Sequence, residues 1–171
     1  KRQEFGLPPL FPYADGTMPK QSEAEAKHAR WEIDIKNSKL IKTSLDNITG
    51  EFPRFDERFA LRKYTHGYYA GSIGNHPKGM SLNSIIHYDY NTDERKSYTT
   101  AEGGAVGEPV FAPKSKDSKD GEGWLIATEY NGAENRSNLI FLDAQHVDDG
   151  PVASAQLPHS CLLYTSDAAD D

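Results

Sequence analysis

The sequence predicts an all-β chain, and three observations carry that prediction. Short segments of alternating or aromatic-rich apolar residues recur at short intervals, with almost no helical periodicity. Turn signals separate them: Asn37-Ser38, Asn91-Thr92-Asp93, Gly103-Gly104 and Asn131-Gly132, in a chain with 14 Gly and 10 Pro. Aromatic residues are plentiful (9 Tyr, 7 Phe, 2 Trp), which suits pleated, half-buried surfaces and argues against disorder. The pattern fits a sandwich, a barrel or a propeller. With no Trp-Asp blade signature and no clear internal repeat, periodicity alone selects none of the three.

Taken in order, residues 1–20 carry four prolines and two glycines without periodicity and read as a surface loop. Residues 22–27 have helix propensity but are too short and polar to hold a helix alone, so a solvated connection is expected. At Trp31-Glu32-Ile33-Asp34-Ile35 the period becomes two. Asn37-Ser38 turns the chain, and Leu40, Ile41 and Leu45 mark a return strand, giving a hairpin. Glu51 and Phe52 follow, then a polar turn at Asp56-Glu57-Arg58. A Tyr-rich strand is expected over residues 63–70 and a Gly/Pro/Asn loop over 71–79. Leu82, Ile86, Tyr88 and Tyr90 alternate, and residues 95–99 return. A strand around Glu108 comes next, because a residue before proline is pushed toward extended geometry. The charged loop 114–123, with Lys114, Lys116 and Lys119 offset by Asp117 and Asp120, reads as a solvated tip. Strands are expected at 124–130, at 137–142 (the most apolar) and at 151–157.

The chain of 171 residues is long enough for one domain with a core. No apolar run approaches the roughly 18 residues that span a membrane. A formal charge of −7 argues against nucleic acid as the main partner. The first residue is Lys1 and no signal peptide is visible, so the true N-terminus is expected upstream; the expected location is cytoplasmic. Residues 161–171, Cys-Leu-Leu-Tyr-Thr-Ser-Asp-Ala-Ala-Asp-Asp, resemble a translated sequencing adapter and are expected not to be native. Setting them aside removes three aspartates and the only cysteine, which leaves no thiol chemistry.

Two stretches carry candidate chemistry. Glu51-Phe52-Pro53-Arg54-Phe55-Asp56-Glu57-Arg58-Phe59 and Gly107-Glu108-Pro109-Val110-Phe111-Ala112-Pro113 each set a glutamate near a proline and a phenylalanine. Stiff, apolar-flanked backbone suits a carboxylate with a fixed role, and it equally suits an ordinary strand-edge glutamate. The six histidines (28, 66, 76, 87, 146 and 159) show no metal-binding spacing and read as surface or strand-edge imidazoles. There is no Gly-x-Ser-x-Gly, and the glycines at 103–107 run into a strand instead of a helix N-terminus.

The ordered set from residues 51–58, through Tyr64 to Tyr69, 107–111, Gly121-Glu122-Gly123-Trp124-Leu125, Leu142-Asp143-Ala144 and Pro151-Val152-Ala153 to Leu157-Pro158-His159 resembles the carotenoid cleavage oxygenase family. Arg30-Trp31-Glu32-Ile33-Asp34 leans toward its stilbene-cleaving, lignostilbene dioxygenase branch. The resemblance covers most of residues 28–159. It implies a seven-bladed β-propeller with a non-haem Fe(II) on its axis, held by four histidines. Residues 1–160 would be a fragment of about three blades. Glu51 and Glu108 match two glutamates that orient iron-binding imidazoles, since a ligating imidazole needs an acceptor for its other N–H. No histidine here matches an iron-ligand position, His159 included, so the four ligands would lie outside the fragment and the fragment itself would be inactive. The parent would split a conjugated C=C bond of an apolar stilbenoid or carotenoid with O2 to give two carbonyl products, at a membrane surface where the substrate is a carotenoid. The competing expectations are a non-catalytic propeller that binds partners, and a propeller glycosidase using Glu51 and Glu108 as acid and base.

Overall fold

The computed structural model describes residues 26–74 and 82–158. The strands are β1 (Lys27–Asp34), β2 (Lys39–Phe55), β3 (His66–Ser72), β4 (Ser84–Asp89), β5 (Glu94–Thr99), β6 (Ala105–Val106), β7 (Val110–Pro113), β8 (Gly123–Asn131), β9 (Arg136–Asp143) and β10 (Pro151–Gln156). The only helical elements among the described residues are two 3₁₀ turns, Glu57–Phe59 and Val147–Asp149. The chain divides into two compact units, residues 1–50 and 51–171, with the boundary inside β2.

In the first unit, β1 and β2 form the expected antiparallel hairpin, with Trp31 opposite Lys42 and Ile33 opposite Leu40. Asp34 closes the turn by accepting the Asn37 backbone N–H at 3.1 Å and its side-chain amide at 2.7 Å. β1 begins at Lys27, where a solvated connection was expected. The Gly50 N–H donates to the Ala26 carbonyl at 3.0 Å, drawing the start of the strand into the ladder. Lys42 lies 5.2 Å above the Trp31 ring, a cation–π contact on an exposed face.

In the second unit, β3, β4 and β5 make an antiparallel meander, and β10, β9 and β8 make a second sheet. β6 and β7 both pair with β8, at Tyr130/Glu129 and at Ile126 to Gly123 respectively. The core lies between these two sheets. Tyr68, Ala70 and Ile85 come from one; Val106, Leu125, Ile140 and Leu142 come from the other, with Val147 beneath them. Burying each aliphatic side chain contributes about 1.5–3 kcal/mol. β4 was expected to alternate, yet Ile85 and Ile86 are both fully buried, so both of its faces are covered.

Three boundaries differ from expectation. The Tyr-rich strand starts at His66 and continues through Gly71 and Ser72, where a loop was expected. Glu108 does not sit on a strand. It lies in the link between β6 and β7, because Gly107 spends its N–H on the Thr128 carbonyl (2.8 Å) and Pro109 has none to offer. Residues 147–149 form a 3₁₀ turn that no sequence signal announced. The expected loop at residues 1–20, the expected adapter-derived tail at 161–171, His76 and His159 all fall outside the described residues.

Candidate functional site

The Glu51 motif carries a local backbone anomaly. Phe52, immediately before Pro53, adopts φ +57°. A bulky residue before proline is ordinarily extended, and the left-handed region costs it on the order of 1–2 kcal/mol. The cost is offset by packing, since Phe52 sits against the core cluster. Strain of this kind persists where surroundings over-determine the backbone, and it concentrates at functional sites. The carboxylate of Glu51 is half-buried and makes no hydrogen bond to another described residue.

Glu108 is fixed by its two neighbours. A Cβ on Gly107 would collide with the Thr128 hydroxyl, so only glycine lets the link pass β8 this closely. Pro109 is fully buried, which pins the other side. Between them the half-exposed carboxylate receives Arg54, whose Nε donates to Oε1 at 2.6 Å and whose Nη2 reaches the same oxygen. Arg54 Nη1 also donates to Glu57 Oε1 at 3.3 Å. The two motifs are therefore joined through Arg54 and Glu108, whereas Glu51 stands three residues earlier with its own carboxylate unengaged among the described residues.

The rest of the first motif is architectural. The polar turn expected at residues 56–58 is there, and its Asp56 is only 1% exposed. It caps the 3₁₀ turn by accepting the Arg58 backbone N–H at 3.1 Å, and it takes the Arg58 guanidinium on both oxygens. Arg58 then donates to the carbonyls of Ser115 and Lys116 at 2.9 Å. The 114–122 segment is thus anchored at both ends, while Lys114, Lys116, Asp117 and Lys119 are exposed as the solvated tip was expected to be. At its far end the Asp120 Oδ2 accepts the Thr65 N–H and hydroxyl.

Sequence reasoning missed a buried aromatic–imidazole cluster beside this anchor. His66 Nδ1 and His87 Nε2 lie 3.0 Å apart, so one ring donates to the other. Tyr68, cross-strand from His87, stacks on it at 5.3 Å and on Phe111 at 5.6 Å. Gly121, at φ +77°, lets the loop press on the His66 ring, which a Cβ would strike. Burial, reinforced by the neighbouring His66, pushes His87 down to about 4. Burial likewise raises the Tyr68 phenol far above its ordinary value. His87 was expected to be a surface or strand-edge imidazole. Its place opposite Tyr68 appears only once β3 and β4 are paired. Among the described residues no three His, Cys, Asp or Glu side chains are grouped to hold a metal ion.

The antiparallel strands and their structural neighbours define a piece of a β-propeller of the carotenoid-oxygenase type. Residues 5–163 match the family described as retinal pigment epithelial membrane protein, and the chain belongs to that family, the carotenoid oxygenases. Resveratrol cleavage oxygenase 1 of Botryotinia fuckeliana is 33% identical over 159 residues, covering 88% of this chain and 28% of that protein. The isoeugenol monooxygenase of Pseudomonas putida is 32% identical over 161 residues, covering 89% and 34%. Among solved structures, the Pseudomonas brassicacearum lignostilbene dioxygenase superposes with a TM-score of 0.80 at 28% identity, covering 89% of this chain and 34% of that one. The chain spans about a third of the length of the relatives it matches.

Proposed function

We propose that the full-length protein containing this chain is a non-haem Fe(II) oxygenase that cleaves a conjugated C=C bond with O2 into two carbonyl products, and that its substrate is a phenolic stilbenoid or phenylpropenoid. The observation that carries the reading is the Arg54–Glu108 junction of the two motifs, in a chain of this family. The substrate class is supported by the names of relatives at 30–33% identity, which act on resveratrol, isoeugenol and lignostilbene.

The described residues fit a bound iron as carriers of acceptors, not as ligands. Among the described residues, the Glu51 carboxylate and the Oε2 oxygen of Glu108 accept no hydrogen bond. Each would take the outward N–H of an imidazole that ligates the metal from another part of the protein, fixing the ring and raising its basicity. Bound Fe(II) would activate O2 at its open coordination positions. Among the described residues no helix is long and apolar enough to cross a membrane.

The test is iron content and cleavage of a stilbene substrate by the full-length protein and its Glu51→Ala and Glu108→Ala variants. Iron affinity or turnover is expected to fall roughly 10- to 100-fold in each, with little change in melting temperature. Full iron loading and wild-type turnover in both variants would overturn the reading.

A further inference from the structure

We propose that Arg54 is a positioning residue for this site: by gripping Oε1 of Glu108 it fixes that carboxylate's rotamer and reserves Oε2 for the N–H of a metal-ligating imidazole. The inference rests on the reading of Glu108 given above. An arginine facing a carboxylate usually forms a fork, one N–H to each oxygen. Here Nε and Nη2 both converge on Oε1, and Oε2 keeps its lone pairs free of any described partner.

The guanidinium is itself held. Its remaining arm donates to Glu57 Oε1 at 3.3 Å, and its backbone follows the left-handed Phe52 and the rigid Pro53. The contact joins residues 54 positions apart, so it sets the place of one motif against the other. A half-exposed glutamate without such a partner would sample several rotamers, and an acceptor that wanders orients nothing. Lysine would supply charge but not two convergent donors in a fixed plane.

The experiment uses the full-length protein, stripped of metal and titrated with Co(II), whose visible ligand-field absorption reports ligand geometry. Wild type is compared with Arg54→Gln, Arg54→Lys, Glu108→Gln and the double variant Arg54→Gln/Glu108→Gln. Arg54→Gln and Glu108→Gln are each expected to weaken Co(II) affinity roughly 10- to 100-fold and to displace the absorption bands alike. The double variant should be no worse than either single one, because both changes disable the same acceptor. Arg54→Lys should recover part of the affinity.

A purely structural salt bridge predicts the opposite pattern: a lower melting temperature of the metal-free Arg54→Gln protein with affinity and bands unchanged. That result overturns the proposal. If Glu108→Gln binds Co(II) as wild type does, the reading of Glu108 fails and the Arg54 proposal fails with it. If Glu108→Gln weakens binding and Arg54→Gln does not, only the Arg54 proposal fails. Should Arg54→Gln not fold, Arg54→Lys carries the test, and an unchanged Co(II) spectrum in it overturns the proposal.

Discussion

His87 sits opposite Tyr68 on one side and Lys96 on the other, with His66 hydrogen-bonded to its ring. Asp89 on its own strand and Asp148 in the nearby 3₁₀ turn supply the opposing charge. Burial keeps it neutral down to about pH 4, whereas an unfolded chain protonates the same ring near 6.5. Between those values the unfolded state binds more protons, so stability rises with pH across the window. The contribution is full above about pH 6.5 and shrinks as pH falls toward 4. A His87→Phe variant is expected to flatten that slope in urea titrations taken from pH 7 to pH 4.5. Asp56 gives a second expectation at this scale. Asp56→Ala removes a cap and a buried acceptor and should cost about 1–3 kcal/mol in chemical denaturation. Neither residue was legible in the sequence. An imidazole and a carboxylate read as surface groups until the fold shows which neighbours close over them. Glu51 and Glu108 stood out in the sequence because proline and phenylalanine mark the backbone around them, and the role given to them is the proposal that the iron and cobalt titrations test.

At the scale of elements, the link between β6 and β7 is decided by one close approach. Gly107→Ala would drive a methyl into the Thr128 hydroxyl, displacing Glu108 from Arg54. The expected cost is about 1–3 kcal/mol, and Thr128→Ala should recover much of it in a double-mutant cycle of melting temperatures. The strands themselves were legible from period and turn chemistry: β1 with the return arm of β2, β5, β8, β9 and β10 lie within a few residues of where alternation put them. Asn91-Thr92-Asp93 does turn β4 into β5, with the Asp89 carboxylate accepting the Asn91 N–H at 2.8 Å. What failed was strand continuity at Glu108. The rule for a residue before proline describes φ and ψ, not whether a ladder partner exists, and here the partner strand gives its carbonyl to Gly107 instead. The same rule also fails at Phe52, where core packing outweighs the local preference.

For the molecule as a whole, the second unit behaves as two sheets sharing one apolar layer. Leu125 and Ile85 are both fully buried in that layer, one from each sheet. Leu125→Ala should therefore cost about 2–5 kcal/mol. Hydrogen exchange should show β4 and β9 losing protection together, as expected of a single cooperative unit. Fold class was within reach of pattern reasoning, but sheet order was not. Alternation says that a segment pairs, while the choice of partner depends on contacts distant in sequence. The ordered motifs closed that gap, because they point to a family and the family to a propeller.

The two tryptophans fall one to each unit, Trp31 at 51% exposure in the hairpin and Trp124 at 36% exposure on β8. Replacing either with phenylalanine would leave a single indole whose emission colour and quenching by iodide monitor its own half alone. Optical melting of the two single-indole proteins would then give two curves, and their overlap or separation reads out directly whether the boundary inside β2 is also a thermodynamic one.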